Sequence, residues 1–290
     1  MSLNQNEGFI PVNGGKVWYQ VTGNGSGTPL LFLHGGPGFP SYNFACLEKL
    51  GNQRPIIIYH QLGCGKSERP TDPNLWKLDR FVDELKIVIE TLKLDKVYLL
   101  GYSSGAALAG KYSLLYPKKV KSVIFMSPLL STPKWIEDAN RLKATLPEEI
   151  QKIIVENEKA NTTDSDAYKK AMDEFYKRYW CRLSFLPETI KKTREEANFD
   201  VYMTMWGPSE FYCTGNLKKF DISDKLASFK IPILYTCGKY DEATPETVRS
   251  FQKMTPHSDM VIFDNSAHHA EIEEEDKFLG TIGAFLKKID

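Results

Sequence analysis

Residues 101–105 read Gly-Tyr-Ser-Ser-Gly, and Ser103 at their centre is a candidate nucleophile. A serine in the pattern G-x-S-x-G attacks carbonyl groups when it stands on a sharp turn between a buried strand and a helix, because the turn projects its hydroxyl. Glycines on both sides remove the Cβ atoms that would collide in such a bend. An apolar run, 97–100, precedes the motif and a helix-forming run, 106–109, follows it. The pattern therefore predicts acyl-transfer chemistry at Ser103.

A serine nucleophile needs a base that takes its proton and a carboxylate that orients the base. In sheets of this kind the three residues follow in the chain order Ser, Asp or Glu, His, from loops at the carboxyl ends of strands. Asp241 follows the predicted strand 231–236, and His268 and His269 follow the predicted strand 259–263. Each of these residues alone is weak evidence. Their order and their placement at two strand ends favour a Ser-His-Asp triad.

The negatively charged intermediate of acyl transfer needs two preorganised N–H donors. The residue after the nucleophile, Ser104, is expected to supply one from its backbone. The second is expected from the loop His34-Gly35-Gly36-Pro37-Gly38, where the glycines let the backbone approach a substrate closely. We interpret His34 itself as a structural residue.

The elements that must position these residues alternate between strands and helices. The apolar runs that predict buried strands are 29–33, 55–59, 97–100, 120–126, 231–236 and 259–263, and residues 9–22 predict a hairpin about Asn13-Gly14-Gly15. Helical spacing of apolar residues is found in 79–93, 245–255 and 271–288. The alternation predicts an α/β fold with a mostly parallel central sheet and helices on both of its faces.

The pattern changes between residues 131 and 215. Charged helical segments replace the buried strands there, at 134–145, 147–160, 165–182 and 187–206. We therefore expect a core domain made of residues 1–130 and 216–290, interrupted by a helical cap domain of residues 131–215.

The composition excludes several classes of partner. Lys plus Arg and Asp plus Glu both number 37, so no bulk charge attracts nucleic acid or an anionic membrane. The five cysteines are scattered without C-x-x-C spacing, which predicts reduced buried thiols, and the five histidines show no ligand spacing, so no metal and no organic cofactor are expected. The opening MSLNQNEGF lacks the features of a signal peptide, which predicts a cytoplasmic location.

Six segments together resemble the proline iminopeptidase family of α/β-hydrolases, most closely its tricorn-interacting aminopeptidase branch. They are HGGPG (34–38), HQLGCGKS (60–67), GYSSG (101–105), WGPSEF (206–211), GKYDEATP (238–245) and NSAHH (265–269). The resemblance covers nearly the whole chain. It implies the α/β-hydrolase fold, with Ser103, Asp241 and His268 as the triad and Gly36 and Ser104 as the oxyanion donors. His268 fits better than His269 because it occupies the family's S-H or G-H position.

Enzymes of this family release an N-terminal residue, commonly proline, and so must recognise a free α-ammonium group. Carboxylates in a partly desolvated pocket suit that task. The resemblance carries this role onto Glu210 and Glu242. It also places Trp206 near the pocket for the first side chain, together with Phe211 and Tyr212, although these aromatic residues fit the core of the cap equally well.

The sequence departs from the family pattern at three positions. His60 stands where the family has aspartate, Ser104 where a bulkier aromatic residue is frequent, and Ala106 where a second glycine is frequent. A small residue at position 104 would reshape the acyl pocket, so the preference for proline is left open.

Two alternatives to an aminopeptidase remain at this stage. The same scaffold serves amidases and esterases that act on small molecules without an α-ammonium group. A non-catalytic binding protein of this fold is less compatible with the sequence, because all three triad candidates are present. The expected substrate is a short peptide or an amino-acid amide, and the sequence does not indicate the oligomeric state.

Overall fold

One sheet of eight strands runs through residues 7–290, the part of the chain that the computed structural model describes. The strands are β1 (Glu7–Val12), β2 (Gly15–Thr22), β3 (Leu30–Leu33), β4 (Ile56–Tyr59), β5 (Val97–Tyr102), β6 (Val120–Met126), β7 (Ile233–Gly238) and β8 (Ser258–Phe263). They lie in the order β1-β2-β4-β3-β5-β6-β7-β8. The pairs β1–β2 and β2–β4 are antiparallel, and all pairs from β4 to β8 are parallel.

Every residue of β3, β4 and β5 is buried, because helices cover both faces of the sheet. The helices are α1 (Leu78–Thr91), α2 (Ser104–Leu115), α3 (Thr132–Lys143), α4 (Glu148–Ala160), α5 (Asp166–Tyr179), α6 (Glu188–Glu195), α7 (Phe199–Met205), α8 (Pro245–Met254), α9 (Ala270–Glu273) and α10 (Glu275–Ile289). Apolar residues of α1, α2 and α8 pack on one face of the sheet, and those of α10 and of the 3-10 segment Tyr42–Leu50 pack on the other. The predicted mostly parallel sheet is thus present.

The parallel register brings the carboxyl ends of six strands, β3 to β8, to one edge. Leu33 pairs with Gly101, and Met126 pairs with both Tyr102 and Thr236. Each predicted buried strand is found with its ends shifted by at most two residues. The segments that follow these strands at this edge contain Gly36, Ser103, Asp241 and His268.

Five helices, α3 to α7, lie between β6 and β7 and are called the helical insert below. The prediction of one helix over 187–206 was wrong, because the chain forms two helices there. Asn198 separates them, with extended backbone angles of φ −116° and ψ 103°. Its Oδ1 accepts hydrogen bonds from the N–H groups of Asp200 and Val201, which begins α7 with an N-cap. These cap bonds compete with continuation of the helix, so the side chain of Asn198 explains the break between α6 and α7.

Asn198 also ties the helical insert to the core of the molecule. Its Nδ2 donates to Gly63 O at 2.8 Å, and its backbone N–H donates to Gly38 O at 2.9 Å. Both acceptors lie in glycine-rich loops at the edge of the sheet where the parallel strands have their carboxyl ends. The break between α6 and α7 is therefore held in place by the loops on which the insert rests.

The prediction of one helix over 271–288 was also wrong in detail. Glu274, at φ −138° and ψ 51°, separates α9 from α10. Its carboxylate accepts hydrogen bonds from Asn265 N at 2.9 Å and from Ser266 Oγ at 2.6 Å. The side chain thus bonds the loop that leads to His268, and the backbone leaves the helical conformation at that point.

All five cysteine thiols are free, and four of them are buried. Over residues 7–290, none of the helices has the length and apolar character that crossing a bilayer requires.

Replacing Asn198 by alanine should lower the free energy of unfolding by about 1–2 kcal/mol, because α7 loses its N-cap and Gly63 O loses a donor. Urea unfolding followed by circular dichroism measures the change. The matched variant Asn198→Asp retains the cap and loses only the bond to Gly63 O. Its free energy of unfolding should therefore lie between those of wild type and Asn198→Ala. Equal midpoints for wild type and Asn198→Ala would contradict this account of the break.

Candidate active site

Ser103 stands at the turn between β5 and α2 in a conformation that side-chain-bearing residues rarely adopt. Its φ is +54° and its ψ is −121°. A Cβ on Gly105 would lie 2.1 Å from Leu33 O, and a Cβ on Gly101 would lie 2.5 Å from Gly105 O. Neither position tolerates a side chain. The two glycines therefore permit the close packing that holds Ser103 in its strained backbone geometry.

The loop after β8 brings His268 to Asp241, which lies after β7. His268 Nδ1 and Asp241 Oδ1 are 2.7 Å apart, and both side chains are almost fully buried. This bond holds the ring with Nε2 directed away from the carboxylate, the arrangement a general base needs. Ser103 and His268 line the same cavity. Among the described residues Ser103 Oγ makes no hydrogen bond, and catalytic bonds of this kind often tighten only when substrate binds.

Four hydrogen bonds satisfy the buried carboxylate of Asp241. Besides His268, the donors are Ala243 N at 2.8 Å to Oδ1, and Ser127 Oγ at 2.6 Å and Gly238 N at 3.2 Å to Oδ2. These donors compensate the cost of burying a negative charge.

The sequence analysis missed Ser127. It follows β6 directly, at the edge where the site residues gather, and it has a φ of +46°. Its N–H donates to Thr236 O on the neighbouring strand at 2.7 Å, which holds the hydroxyl toward Asp241. A serine immediately after a buried strand at this edge was the available signal.

The loop after β3 lies directly against Ser103. A Cβ on Gly35 would lie 3.0 Å from Ser103 Cβ, and Gly36 has a φ of +111°. Ser104 is the first residue of α2, so its N–H has no acceptor one turn earlier in the helix. Gly36 and Ser104 thus lie on the two sides of Ser103, with backbone N–H groups suited to a developing oxyanion.

His34 holds this loop in place. Its Nδ1 donates to Gly35 O at 3.0 Å, and its Nε2 accepts from Gln61 N at 2.9 Å, a pattern that assigns the neutral ring. Burial lowers the pKa of His34 to about 4. His60, the departure from the family's aspartate, accepts from Lys66 N at 3.0 Å through Nδ1 and packs 4.8 Å from the Trp18 ring. It lies behind the cavity wall and supports the same loops.

A cavity of about 410 Å³ lies between the edge of the sheet and the helical insert. Its lining includes Ser103, His268, Gly36, Glu210, Glu242 and Trp206. Six of the predicted site residues thus converge on one cavity. Ser104 and Asp241 are outside its lining: Ser104 follows Ser103 in the chain, and Asp241 is bonded to His268.

Glu210 and Glu242 place two carboxyl groups in this cavity. Glu242 Oε1 lies 3.8 Å from His268 Nε2, and Glu242 Oε2 is buried without a hydrogen-bond partner. Glu210 Oε1 accepts from the Tyr202 hydroxyl at 2.7 Å. Burial, and next the charge of Glu210, raise the pKa of Glu242 well above its ordinary value, and burial also raises the pKa of Glu210. The two carboxyl groups, one with an unpartnered oxygen, thus form a place where the charge of a bound cation would stabilise their ionised forms.

The aromatic residues of the segment 206–212 divide between cavity and core. Trp206 lines the cavity, and its Nε1 donates to Ser209 O at 3.0 Å. The residue thus forms part of the cavity wall and also holds the segment that follows it. Phe211 instead packs in the insert, 5.0 Å from the Phe175 ring. Neither Phe211 nor Tyr212 lines the cavity.

His269 belongs to a different hydrogen-bond network. Its Nδ1 is 2.7 Å from Glu271 Oε1, which also accepts from Asn43 Nδ2 at 2.6 Å. Asn43 Oδ1 in turn accepts from Thr193 Oγ1 of α6 at 3.3 Å. This network joins the core to the insert. Of the two neighbouring histidines, only His268 bonds Asp241. Within residues 7–290 no group of three or more His, Cys, Asp or Glu is arranged to hold a metal.

Comparisons with known proteins agree with this geometry. A family model of the alpha/beta hydrolase fold matches residues 28–275. A proline iminopeptidase of Heyndrickxia coagulans is 48% identical over 98% of this chain and 99% of its own length. The crystal structure of a proline iminopeptidase of Mycobacterium smegmatis superposes with a TM-score of 0.90 at 30% identity, over 98% of both chains. The crystal structure of VinJ superposes with a TM-score of 0.93 at 30% identity, over 98% of this chain and 99% of that one.

Replacing Ser127 by alanine should slow phosphonylation of Ser103 by a fluorophosphonate about tenfold, because Asp241 loses its shortest donor and orients the histidine less firmly. The rate is measured by intact-protein mass spectrometry. Ser113→Ala is the matched control, since it removes a buried hydroxyl whose bond, to Ala109 O, lies away from the triad. Equal labelling rates for Ser127→Ala and wild type would show that Ser127 does not act through Asp241.

Proposed function

Because the chain belongs to the proline iminopeptidase family of the α/β-hydrolase superfamily, we propose that it releases an N-terminal proline, or another small or apolar residue, from short peptides and amino-acid amides. It is a serine aminopeptidase by family. The observation that carries the choice of substrate is the pair of buried carboxyl groups, Glu210 and Glu242, beside the candidate catalytic histidine.

The reaction begins with attack of Ser103 Oγ on the carbonyl carbon of the N-terminal residue. His268 Nε2 takes the hydroxyl proton, and Asp241 holds the ring in the required tautomer and stabilises its charged form. The N–H groups of Gly36 and Ser104 donate hydrogen bonds to the oxyanion of the tetrahedral intermediate. The proton on His268 then passes to the leaving nitrogen, and the C–N bond breaks.

The acyl-enzyme that results is an ester of Ser103. A water molecule attacks it after giving a proton to His268, and the same two N–H groups stabilise the second oxyanion. Return of that proton to Ser103 releases the free amino acid and restores the enzyme. No residue outside this set is required for the proton balance.

Glu210 and Glu242 fix the substrate by its α-ammonium group. An N-terminal proline carries two N–H donors on a positively charged nitrogen, and two carboxylates match that number. Burial raises the pKa values of both carboxyl groups, and the positive charge of a bound ammonium group favours their ionised forms. A peptide with an acylated N-terminus has no such charge, so it is not expected to be a substrate.

We also propose that residues 131–215 act as a cap domain over a core of residues 1–130 and 216–290. The helices α3 to α7 supply Trp135, Tyr176, Tyr202 and Trp206 to the cavity wall, while the core supplies the triad candidates. The enclosure restricts substrates to those with a free and narrow N-terminal end.

Hydrolysis of prolyl-naphthylamide beside N-acetylprolyl-naphthylamide tests the proposed function. We expect cleavage of the free substrate only, with all activity lost in Ser103→Ala. A panel of other aminoacyl-naphthylamides, measured in the same way, identifies the preferred first residue. Equal cleavage of free and acetylated substrates would instead indicate a general amidase or esterase.

Replacing Glu242 by glutamine should lower kcat/KM for prolyl-naphthylamide about 10- to 100-fold, mainly through KM, because a charge-assisted bond to the ammonium group is lost. Glu210→Gln should act in the same direction. Glu246→Gln is the matched control, since Glu246 is exposed on α8 and only approaches Arg141, at 3.8 Å. If both cavity variants had the KM of wild type, Glu210 and Glu242 would not be the groups that bind the substrate ammonium.

A further inference from the structure

We propose that Arg194 binds the C-terminal carboxylate of short peptide substrates, so that the cavity selects dipeptides and tripeptides by the charges at both of their ends. This inference rests on the proposed function, because it concerns the part of the substrate that leaves. It deepens that function by naming free short peptides, rather than the N-termini of long chains, as the substrate class.

The first step of the argument is the charge of the cavity wall. Among the described residues that line it, only Arg194 and Lys169 carry a permanent positive charge. Arg194 is exposed on α6 and has no carboxylate of residues 7–290 within ion-pair distance, whereas Lys191 on the same helix pairs with Glu188. No acidic residue lies three or four positions from Arg194 along the chain. Its charge is therefore available to a ligand.

The second step is the set of charges around the candidate base. His268 Nε2 is 3.8 Å from Glu242 Oε1, and the His268 backbone N–H donates to Trp180 O at 3.0 Å. The Arg194 guanidinium carbon lies 5.8 Å from the centre of the Trp180 ring. The wall of this one cavity thus carries the carboxyl pair, the candidate base and, beside Trp180, the positive charge of Arg194.

The third step is the chemistry of the leaving group. The proton on His268 goes to the nitrogen of the second residue, so the remainder of the peptide extends from the histidine away from the ammonium site. Arg194, beside Trp180 on the wall of the same cavity, offers its carboxylate a positive charge away from the carboxyl pair. Each further residue lengthens the leaving group by at most about 3.3–3.6 Å, so only a short peptide brings its carboxylate to a fixed guanidinium. A guanidinium binds a carboxylate with two parallel hydrogen bonds.

The test compares free acids with C-terminal amides in the series Pro-Gly, Pro-Gly-Gly and Pro-Gly-Gly-Gly-Gly. We expect wild type to cleave the acid of the best-fitting short peptide five- to tenfold faster, in kcat/KM, than its amide, and to lose this ratio for the longest peptide. Arg194→Gln should bring the ratio to about one for every length, and Arg194→Lys should retain part of it. High salt should reduce the wild-type ratio, because the bond is near solvent.

Lys169→Gln is the matched control, since it removes the other cation of the wall from α5 and should preserve the ratio. A wild-type ratio of one, or a ratio lost in Lys169→Gln and retained in Arg194→Gln, would overturn the proposal. The amides also separate it from the proposed function, because their hydrolysis needs no C-terminal charge. Should neither acids nor amides be cleaved, the proposed function fails, and calorimetric binding of Pro-Gly-Gly and its amide to Ser103→Ala still decides whether Arg194 recognises the carboxylate.

Discussion

The contact between the start of α2 and the end of β3 is the constraint on which the site depends. Gly105 lies so close to Leu33 O that no Cβ fits between them. This approach fixes Ser103 on its turn, and it also fixes the first N–H of α2 beside the loop that continues from Leu33. The candidate nucleophile and the loop that carries a candidate oxyanion donor are thereby positioned by one packing contact between main chains. Every other part of the candidate site is built around that contact.

The neighbours Asp241 and Glu242 show how environment separates two identical chemical groups. Asp241 has four donors, so its charge is satisfied within the protein. Glu242 is equally buried, yet one of its oxygens has no partner. Asp241 is therefore suited to orienting a histidine, and Glu242 is suited to binding a positively charged group of a substrate.

The sequence predicted the sheet well, because buried strands have continuous apolar runs and the loops at their carboxyl ends carry distinctive residues. It also predicted the helical insert between β6 and β7. It failed at Asn198 and Glu274, where a side chain bonds a distant loop and the helical pattern of the neighbouring residues conceals the break. It missed Ser127 for a related reason: a single serine after a strand acquires its meaning only from the aspartate that another strand brings to it. Contacts between segments distant in sequence have no local periodicity to reveal them.

The end of α5 is bonded to the main chain of the triad loops. Glu242 N donates to Tyr179 O, and His268 N donates to Trp180 O. The peptides of the candidate ammonium ligand and of the candidate base are thus attached to two consecutive residues of the insert. The position of this short segment is therefore coupled to the positions of both loops. The insert is thus joined to the candidate site by main-chain hydrogen bonds, besides enclosing it.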